Sequence, residues 1–387
     1  MNFDNRVKAV AEFGFTDRQA RFLVTVMLHS GVCVPRQYAT FAGIAYGHKV
    51  SKFFDRLERR GFAIGSHCLH NRARLYHVRH HALYRAIGQP HSRYRRPVAA
   101  GQALERLMCL DTVVLFPDLL HLATEDEKVA FFGVVGPSLP REQLPHITVG
   151  TGASQRMRLF PDAQPIAVTS TGRVVFTYLV TGPYMEEFQA FVQRHADLLR
   201  ALPGWTLRVL FPEQMATAIA ALEETARYEL TATLRPEMLA QLKRYFDQRR
   251  STPNPRARTF EDEEFWHLQA AFDTPRFRQL YRRWLRDGDT VLEALSSTAI
   301  DEKLNRGTGR IESHVIVFSY RHLLPLDSLF RSCRKGVEGV DEGCALPQPP
   351  FRRSPSARVR VTPQRSKVIH RPEMRRDVNG LRESPHE

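Results

Sequence analysis

Apolar side chains recur every three or four residues between positions 48 and 60, in the stretch HKVSKFFDRLERR. Val50, Phe53, Phe54 and Leu57 stand at i, i+3, i+4 and i+7, the spacing of one buried face of an α-helix. The polar positions fall on the opposite face and its flanks: His48, Lys49, Ser51, Lys52, Asp55, Arg56 and Arg59. The pattern therefore predicts an amphipathic helix with a basic outer face.

Two further helices are predicted before this one. Thr16 and Gln19 fit a capping box, and the run at 20–28 that follows is apolar on most faces, as expected for a central buried helix. Pro35 stands at a first-turn position of the next helix, and the glycines at 43 and 47 allow a sharp turn into the third.

A short basic hairpin is predicted directly after the third helix. The sequence RRGFAIGSHCLHNRARLYHV alternates as two strands around the loop HNRAR, which holds Arg72 and Arg74. Three helices followed by a basic ribbon are typical of a winged helix-turn-helix, whose third helix enters the DNA major groove. The alternative is that 16–78 is a three-helix bundle used for protein contact alone.

From about residue 110 the pattern changes to β-branched and aromatic runs, which predict strands at 113–116, 129–135, 173–180 and 206–211. Helical periods lie at 184–202 and 214–231, so this region is predicted to be an α/β domain. The run HVIVFSY at 314–320 is a further strand candidate that would return to the same sheet.

The stretch from about 235 to 300 is predicted to be mainly helical, with aromatic residues around 265–284. Five arginines are interleaved there: Arg276, Arg278, Arg282, Arg283 and Arg286. They would line a nucleic-acid channel or lie on an amphipathic surface helix, and the second interpretation is favoured.

These patterns predict four regions in a multi-domain α/β chain. They are a winged helix-turn-helix at 1–100, an α/β domain at 105–235, a mainly helical extension at 236–330 and a tail at 345–387. The tail is rich in Pro, Ser and Arg and lacks an apolar period, so it is predicted to be disordered and basic.

Charge supports a polyanionic partner. The net charge is +15, and the Lys and Arg count against Asp and Glu is 18 to 6 in 1–110, 28 to 31 in 111–344 and 10 to 4 in 345–387. Because the excess lies at the two ends, we expect nucleic-acid contacts attached to a near-neutral middle. The predicted partner is double-stranded DNA.

Several classes are disfavoured by the remaining composition. No apolar run reaches the length of a membrane span and the N-terminus lacks the features of a secretory signal, so we expect a cytoplasmic protein with no membrane partner. The five cysteines are scattered, which predicts neither disulfides nor a zinc site. The histidines at 67, 70, 77, 80 and 81 are expected to be phosphate contacts or plain surface residues rather than metal ligands.

A resemblance sharpens these predictions. The strings TDRQARFLVTVMLHSG, RQYATFAGIAYGHKVSKFFDRLERRGFA, RLYHV and HHALYRAIG resemble the winged helix-turn-helix domains of bacterial regulators, and their layout is most similar to the replication-relaxation family of plasmids and mobile elements. In that family such a domain precedes a nuclease-like α/β domain. The resemblance implies DNA binding through the recognition helix and the wing.

Ten residues follow as DNA-binding candidates from the helices and the wing. They are Arg36, Gln37, His48, Lys49, Ser51, Lys52, Arg56, Arg59, Arg72 and Arg74.

The middle domain has a possible catalytic motif, since Leu-Phe-Pro-acid strings occur at 115–118, 159–162 and 210–213. A Pro-Asp followed by a strand with Asp/Glu-x-Lys is the signature of a metal-dependent, restriction-endonuclease-like superfamily. After Asp162 the strand offers Phe176, Thr177 and Tyr178 instead, so a nuclease fold here would be degenerate.

A second candidate set of two acids and a lysine, Asp118, Asp126 and Lys128, lies around the TEDEK segment, which a polar hairpin turn explains more simply. We therefore predict no catalytic residues, metal ligands or cofactor, and no enzyme. The predicted function is sequence-preferring DNA binding in replication control, mobilisation or transcription of a bacterial plasmid or mobile element. The alternatives are a divergent nuclease and a platform that docks replication or mobilisation proteins.

Overall fold

The computed structural model describes residues 1–68, 73–135, 140–141, 144–150, 155–182, 185–251, 263–293, 295, 297–318 and 320. Arg72 and the predicted tail at 345–387 lie outside these residues. The described residues form a mixed α/β structure that belongs to one compact unit, Met1–Glu338. No described helix is both long and apolar enough to cross a bilayer.

Residues 1–95 are here called the head, and the described residues among them contain five α-helices and three strands. Their bounds are α1 Phe3–Ala11, α2 Asp17–His29, β1 Val32–Cys33, α3 Pro35–Ala42, α4 His48–Arg59, β2 Ala63–His67, β3 Arg74–Val78 and α5 His81–Ala86. The three predicted helices and the hairpin are thereby confirmed as elements. The Thr16 capping box is also present, with both reciprocal hydrogen bonds to Gln19.

The head closes around its own apolar core. Phe22 and Leu23 of α2 are fully buried, and the rings of Tyr38 and Phe53 lie 4.4 Å apart between α3 and α4. The strands β2 and β3 pair antiparallel, and the short β1 adds to β3, so the sheet order is β1-β3-β2. This sheet holds the hairpin against the end of α4.

The next two predicted strands are wrong, because both segments are helical. The run at 113–116 ends α6 (Ala100–Leu115), where Ala103, Leu107, Leu110 and Val114 keep a helical period of buried positions. The run at 129–135 belongs to α7 (Glu125–Val135).

Helix α7 begins at a capping box, which explains why this segment is helical. Thr124 Oγ1 accepts from the backbone N–H of Glu127 at 3.1 Å, and the Glu127 carboxylate accepts from the N–H of Ala123 and Thr124. The TEDEK segment is therefore the first turn of a helix rather than a hairpin turn.

A five-stranded mixed sheet forms the centre of the middle region. Its strands are β4 Leu120–His121, β7 Ile166–Val168, β8 Val174–Leu179, β9 Trp205–Pro212 and β10 Gly309–Ile316, in the order β10-β9-β8-β7-β4. The β7 strand is antiparallel to both neighbours, whereas β8, β9 and β10 run parallel. The strands predicted at 173–180 and 206–211 are confirmed. The late strand predicted at 314–320 is confirmed only in part, because β10 joins this sheet but spans Gly309–Ile316.

Helices cover this sheet and extend from it. Their bounds are α8 Met185–Ala201, α9 Ile219–Thr231, α10 Pro236–Ser251, α11 Glu263–Phe272, α12 Pro275–Asp287, α13 Thr290–Glu293 and α14 Ala299–Asn305. The aromatic-rich stretch is two helices because Pro275 begins α12. A separate antiparallel ribbon consists of β5 (His146–Val149) and β6 (Arg156–Leu159).

Candidate nucleic-acid interface

The two faces of α4 lie as its periodicity predicts. Val50, Phe53, Phe54 and Leu57 are at most 2% exposed, because they pack into the core of the head. Removing these four apolar side chains from water fixes the rotation of the helix about its own axis. The rotation decides which polar residues face solvent.

The outer face of α4 is polar, basic and exposed. Exposed side chains on it include His48, Lys49, Ser51, Lys52 and Arg59. Within the described part of the chain, Lys49, Lys52 and Arg59 form no ion pair. Their charges are therefore available to an anionic partner.

Arg56 differs from its neighbours on α4 because its side chain points toward the start of α2 rather than into solvent. Its guanidinium donates to the Gln19 side chain at the start of α2 and lies 5.2 Å from the centre of the Phe15 ring. Half-buried in this way, Arg56 ties α4 to α2. Reading of base edges by this side chain would require it to leave both partners.

The hairpin places Arg74 beside α4. Its guanidinium donates to Glu58 Oε1 at 2.6 Å and lies 5.2 Å from the Tyr76 ring centre. The pair is about one-third exposed, so its net contribution to stability is small. Arg74 thus approaches the basic face, but a carboxylate already holds it; Arg72 is not among the described residues.

Two predicted DNA contacts are corrected by the structure, and the first is Gln37. It is fully buried: its carbonyl oxygen accepts from the Val34 N–H at 3.0 Å, and its amide donates to the Leu107 carbonyl at 2.9 Å. The side chain caps α3 and joins it to α6. It cannot reach DNA from this position.

The second correction is Arg36. Both terminal nitrogens of its guanidinium donate to Asp111, each at 2.7 Å, and its carbon lies 4.0 Å from the Phe318 ring centre. Asp111 is only 1% exposed. Releasing Arg36 to DNA would leave a buried carboxylate without its cation, which is costly.

The histidines near the hairpin do not share one environment. His77 is 5% exposed and its Nε2 lies 2.8 Å from the carbonyl oxygen of Tyr94, so the expectation of a surface residue is wrong here. Burial lowers the pKa of His77. The described residues contain no group of three or more His, Cys, Asp and Glu side chains arranged to hold a metal ion.

The Pro-Asp motif at 161–162 leads directly into β7, and Asp162 lies in a cleft of about 260 Å³. The Nε of Arg194 donates to Asp162 at 3.0 Å, and a second guanidinium nitrogen donates to its other oxygen. The expected acid and lysine positions on β8 hold apolar Phe176, buried Thr177 and Tyr178. The Arg194 guanidinium thus pairs with the Asp162 carboxylate, which a metal ion would need as a ligand.

Other groups complete this cleft, and periodicity did not reveal them. Gln164 donates to Glu105 Oε1 at 3.3 Å and accepts from the Leu179 N–H at 3.2 Å. Burial raises the pKa of Glu105, against the opposing effect of Arg93 and Arg106. These residues come from α6, β8 and the segment before β7, so only the folded chain brings them together.

The remaining nuclease candidates do not join that cleft. Asp118 and Asp126 are exposed, on the turn after α6 and the first turn of α7. Lys128 is 7% exposed and its ammonium lies 5.5 Å from the Phe160 ring centre. Burial, together with the nearby Arg93, lowers the pKa of Lys128 to about 8.

Comparison with known proteins gives no relative. No protein-family model, curated protein or solved structure matches this chain.

Proposed function

We propose that this chain is a double-stranded DNA-binding protein whose head is a winged helix-turn-helix with α4 as the recognition helix. The observation that carries the proposal is the exposed basic face of α4, where Lys49, Lys52 and Arg59 have no ion pair among the described residues. A surface of this composition attracts phosphates and offers donors to base edges.

The order of elements in the head supports the same proposal. Helix α2, strand β1, helices α3 and α4 and the β2–β3 hairpin follow one another, with the sheet in the order β1-β3-β2. Helix α4, the third helix of this series, is then exposed beside the β2–β3 ribbon, as a winged helix requires. At 12 residues α4 is about 18 Å long, and a helix fits the major groove of B-DNA.

The α/β region is proposed to be a degenerate, restriction-endonuclease-like domain that does not cut DNA. Support comes from the Pro-Asp motif at 161–162, in the segment before β7, and from strand β8, which lacks the acid and lysine of the signature. The ion pair between Asp162 and Arg194 also favours a binding role. Metal-dependent cleavage remains the second candidate because a carboxylate lies where the motif expects it.

The proposed setting is the cytoplasm of a bacterium carrying a plasmid or other mobile element. It follows from the resemblance of the head to the replication-relaxation family. Replication control, mobilisation and transcription are the processes in which such a DNA-binding protein would act, with replication or mobilisation proteins as further partners.

The test is a selection of random duplexes on the full chain and on Lys49→Ala and Lys52→Ala variants. If these side chains read base edges, each substitution should cost about 1–3 kcal/mol and relax the preference at particular base pairs. Arg74→Ala should instead weaken binding to all sequences evenly if Arg74 exchanges Glu58 for a phosphate.

Lys243→Ala is the matched control, because Lys243 lies on α10 and is paired with Asp289. Circular dichroism and thermal melts check that each variant is folded. If Lys49→Ala and Lys52→Ala select the same sequences with the same affinity as the parent, α4 is not the reading element. The protein-docking interpretation of the head would then be preferred.

A further inference from the structure

A groove of about 840 Å³ lies outside the head, between α12, α8 and the β5–β6 ribbon. Two contacts join its walls. Arg286 donates to Nε2 of His146 at 3.0 Å, linking α12 to β5, and Arg283 pairs with Asp197 at 2.7 Å, linking α12 to α8. The groove is therefore built from three elements of the α/β body.

Its lining is strongly basic. The described lining residues include four arginines and one carboxylate, that of Asp197; the arginines are Arg194, Arg282, Arg283 and Arg286. Three of these arginines are ion-paired: Arg194 with Asp162, Arg283 with Asp197 and Arg286 with Asp287. Arg282 is exposed and makes no ion pair within the described residues. The amphipathic character predicted for this stretch is confirmed by buried Phe277, Leu280 and Trp284. Three of its five arginines, Arg282, Arg283 and Arg286, line the groove.

The chemistry of the lining selects one kind of ligand. Amide and hydroxyl groups complete it, from Thr148, Gln155, Gln193 and Gln279. No Phe, Tyr or Trp is among the described lining residues, so the groove lacks the large aromatic side chains on which unpaired bases usually stack. Guanidinium forks and amides match the oxygens of phosphates and sugars.

We propose that this groove binds the sugar–phosphate backbone of double-stranded DNA, as a second contact in addition to α4. The proposal rests on the proposed function for the identity of the ligand, but its residues are separate from those of the head. A second basic contact lengthens the footprint and adds affinity without adding sequence preference.

The test compares the full chain with Arg282→Gln and with the double variant Arg282→Gln/Arg286→Gln. Affinity for a duplex several helical turns long is measured by fluorescence anisotropy over a range of salt. Each lost phosphate contact should make the log–log salt slope shallower by about 0.9 and weaken binding about five-fold at about 0.15 M salt. The set of selected sequences should not change.

Arg278→Gln is the matched control, because Arg278 is exposed on the same helix, pairs with Asp273 and does not line the groove. An equal loss in that variant, or an unchanged slope in the groove variants, would overturn the proposal. Lys49→Ala and Lys52→Ala are measured beside them. If only the groove variants lose affinity, the groove binds DNA and the proposed role of α4 is rejected. If only the α4 variants lose affinity, α4 binds DNA and the proposed role of the groove is rejected.

Discussion

Single residues show how far periodicity reaches. It correctly places Lys49, Lys52 and Arg59 on the outside of α4, because burying four apolar side chains determines the face left to solvent. It cannot reveal that Gln37 donates to a carbonyl 70 positions away or that Arg36 is held by a carboxylate 75 positions away. Those partners come from tertiary structure, so the sequence pattern could not show that Gln37 and Arg36 already have partners within the protein.

Lys128 provides a residue-scale prediction about pH. Its ammonium is buried and donates to the Gln164 carbonyl over a long distance of 3.5 Å. The pKa in the folded chain is about 8, against about 10.4 in an unfolded chain, so folding disfavours the charged form. Below pH 8 Lys128 is protonated in both the folded and the unfolded chain, so the free-energy cost of burying its charge is fully present. As pH rises from about 8 to about 10.4, the folded chain loses this proton first and the cost disappears.

Lys128→Met should therefore stabilise the protein at pH 7, by up to about 3 kcal/mol, since the thioether fills similar space without a charge. Urea unfolding at several pH values measures the effect. The advantage of the variant should shrink between pH 8 and 10 and vanish above. If the gain in the free energy of unfolding does not vary with pH, packing rather than protonation of Lys128 determines the difference between the variant and the parent.

At the scale of elements, local signals explain both the successes and the errors. The strands β8 and β9 were predictable because they are continuous apolar runs between turns. The errors at 113–116 and 129–135 came from reading β-branched residues as strands, although Thr124 and Glu127 form a capping box that marks a helix start. In α6 the helical period of buried positions from Ala103 to Val114 outweighs the β-propensity of its last turn.

Helix α4 provides the element-scale prediction. Phe53 is 2% exposed, and its ring contacts those of Tyr38 and Phe54 at centre distances of 4.4 and 5.1 Å. Phe53→Ala should lower the free energy of unfolding by about 3–5 kcal/mol, because a buried ring is lost and a cavity remains. Lys52→Ala, the exposed neighbour, should change it by less than about 0.5 kcal/mol.

Chemical denaturation of the two variants measures these differences. If Phe53→Ala is no less stable than Lys52→Ala, the apolar face of α4 does not hold the helix in the head. The assignment of its outer face would then lose its basis as well.

At the scale of the molecule, the head and the α/β body share structure. The predicted boundary between residues 100 and 105 falls inside α6, whose Leu110 packs with the head. Another cluster joins Val32 and Leu75 of the head to Leu210 of β9 and to Tyr320. Sequence texture changes near residue 110, but composition cannot show that one helix contributes to two cores.

A buried polar contact fastens this junction. The Tyr320 hydroxyl donates to Asp111 Oδ2 at 2.6 Å, and the same carboxylate accepts the bidentate pair from Arg36. Asp111 lies on α6, Arg36 on α3 and Tyr320 in the segment after β10. Helices of the head and the end of the central sheet therefore depend on one carboxylate.

Tyr320→Phe tests whether the junction couples the two parts. The lost hydrogen bond to a charged group should cost about 1.5–3 kcal/mol. Because Asp111 connects both sides, amide hydrogen exchange should accelerate in α3 and α6 as well as in β10. Tyr228→Phe is the control, since Tyr228 is 64% exposed, and it should leave exchange unchanged. Acceleration confined to β10 would show that the head is stable independently of the sheet, and that it folds as a separate domain on the N-terminal side of α6.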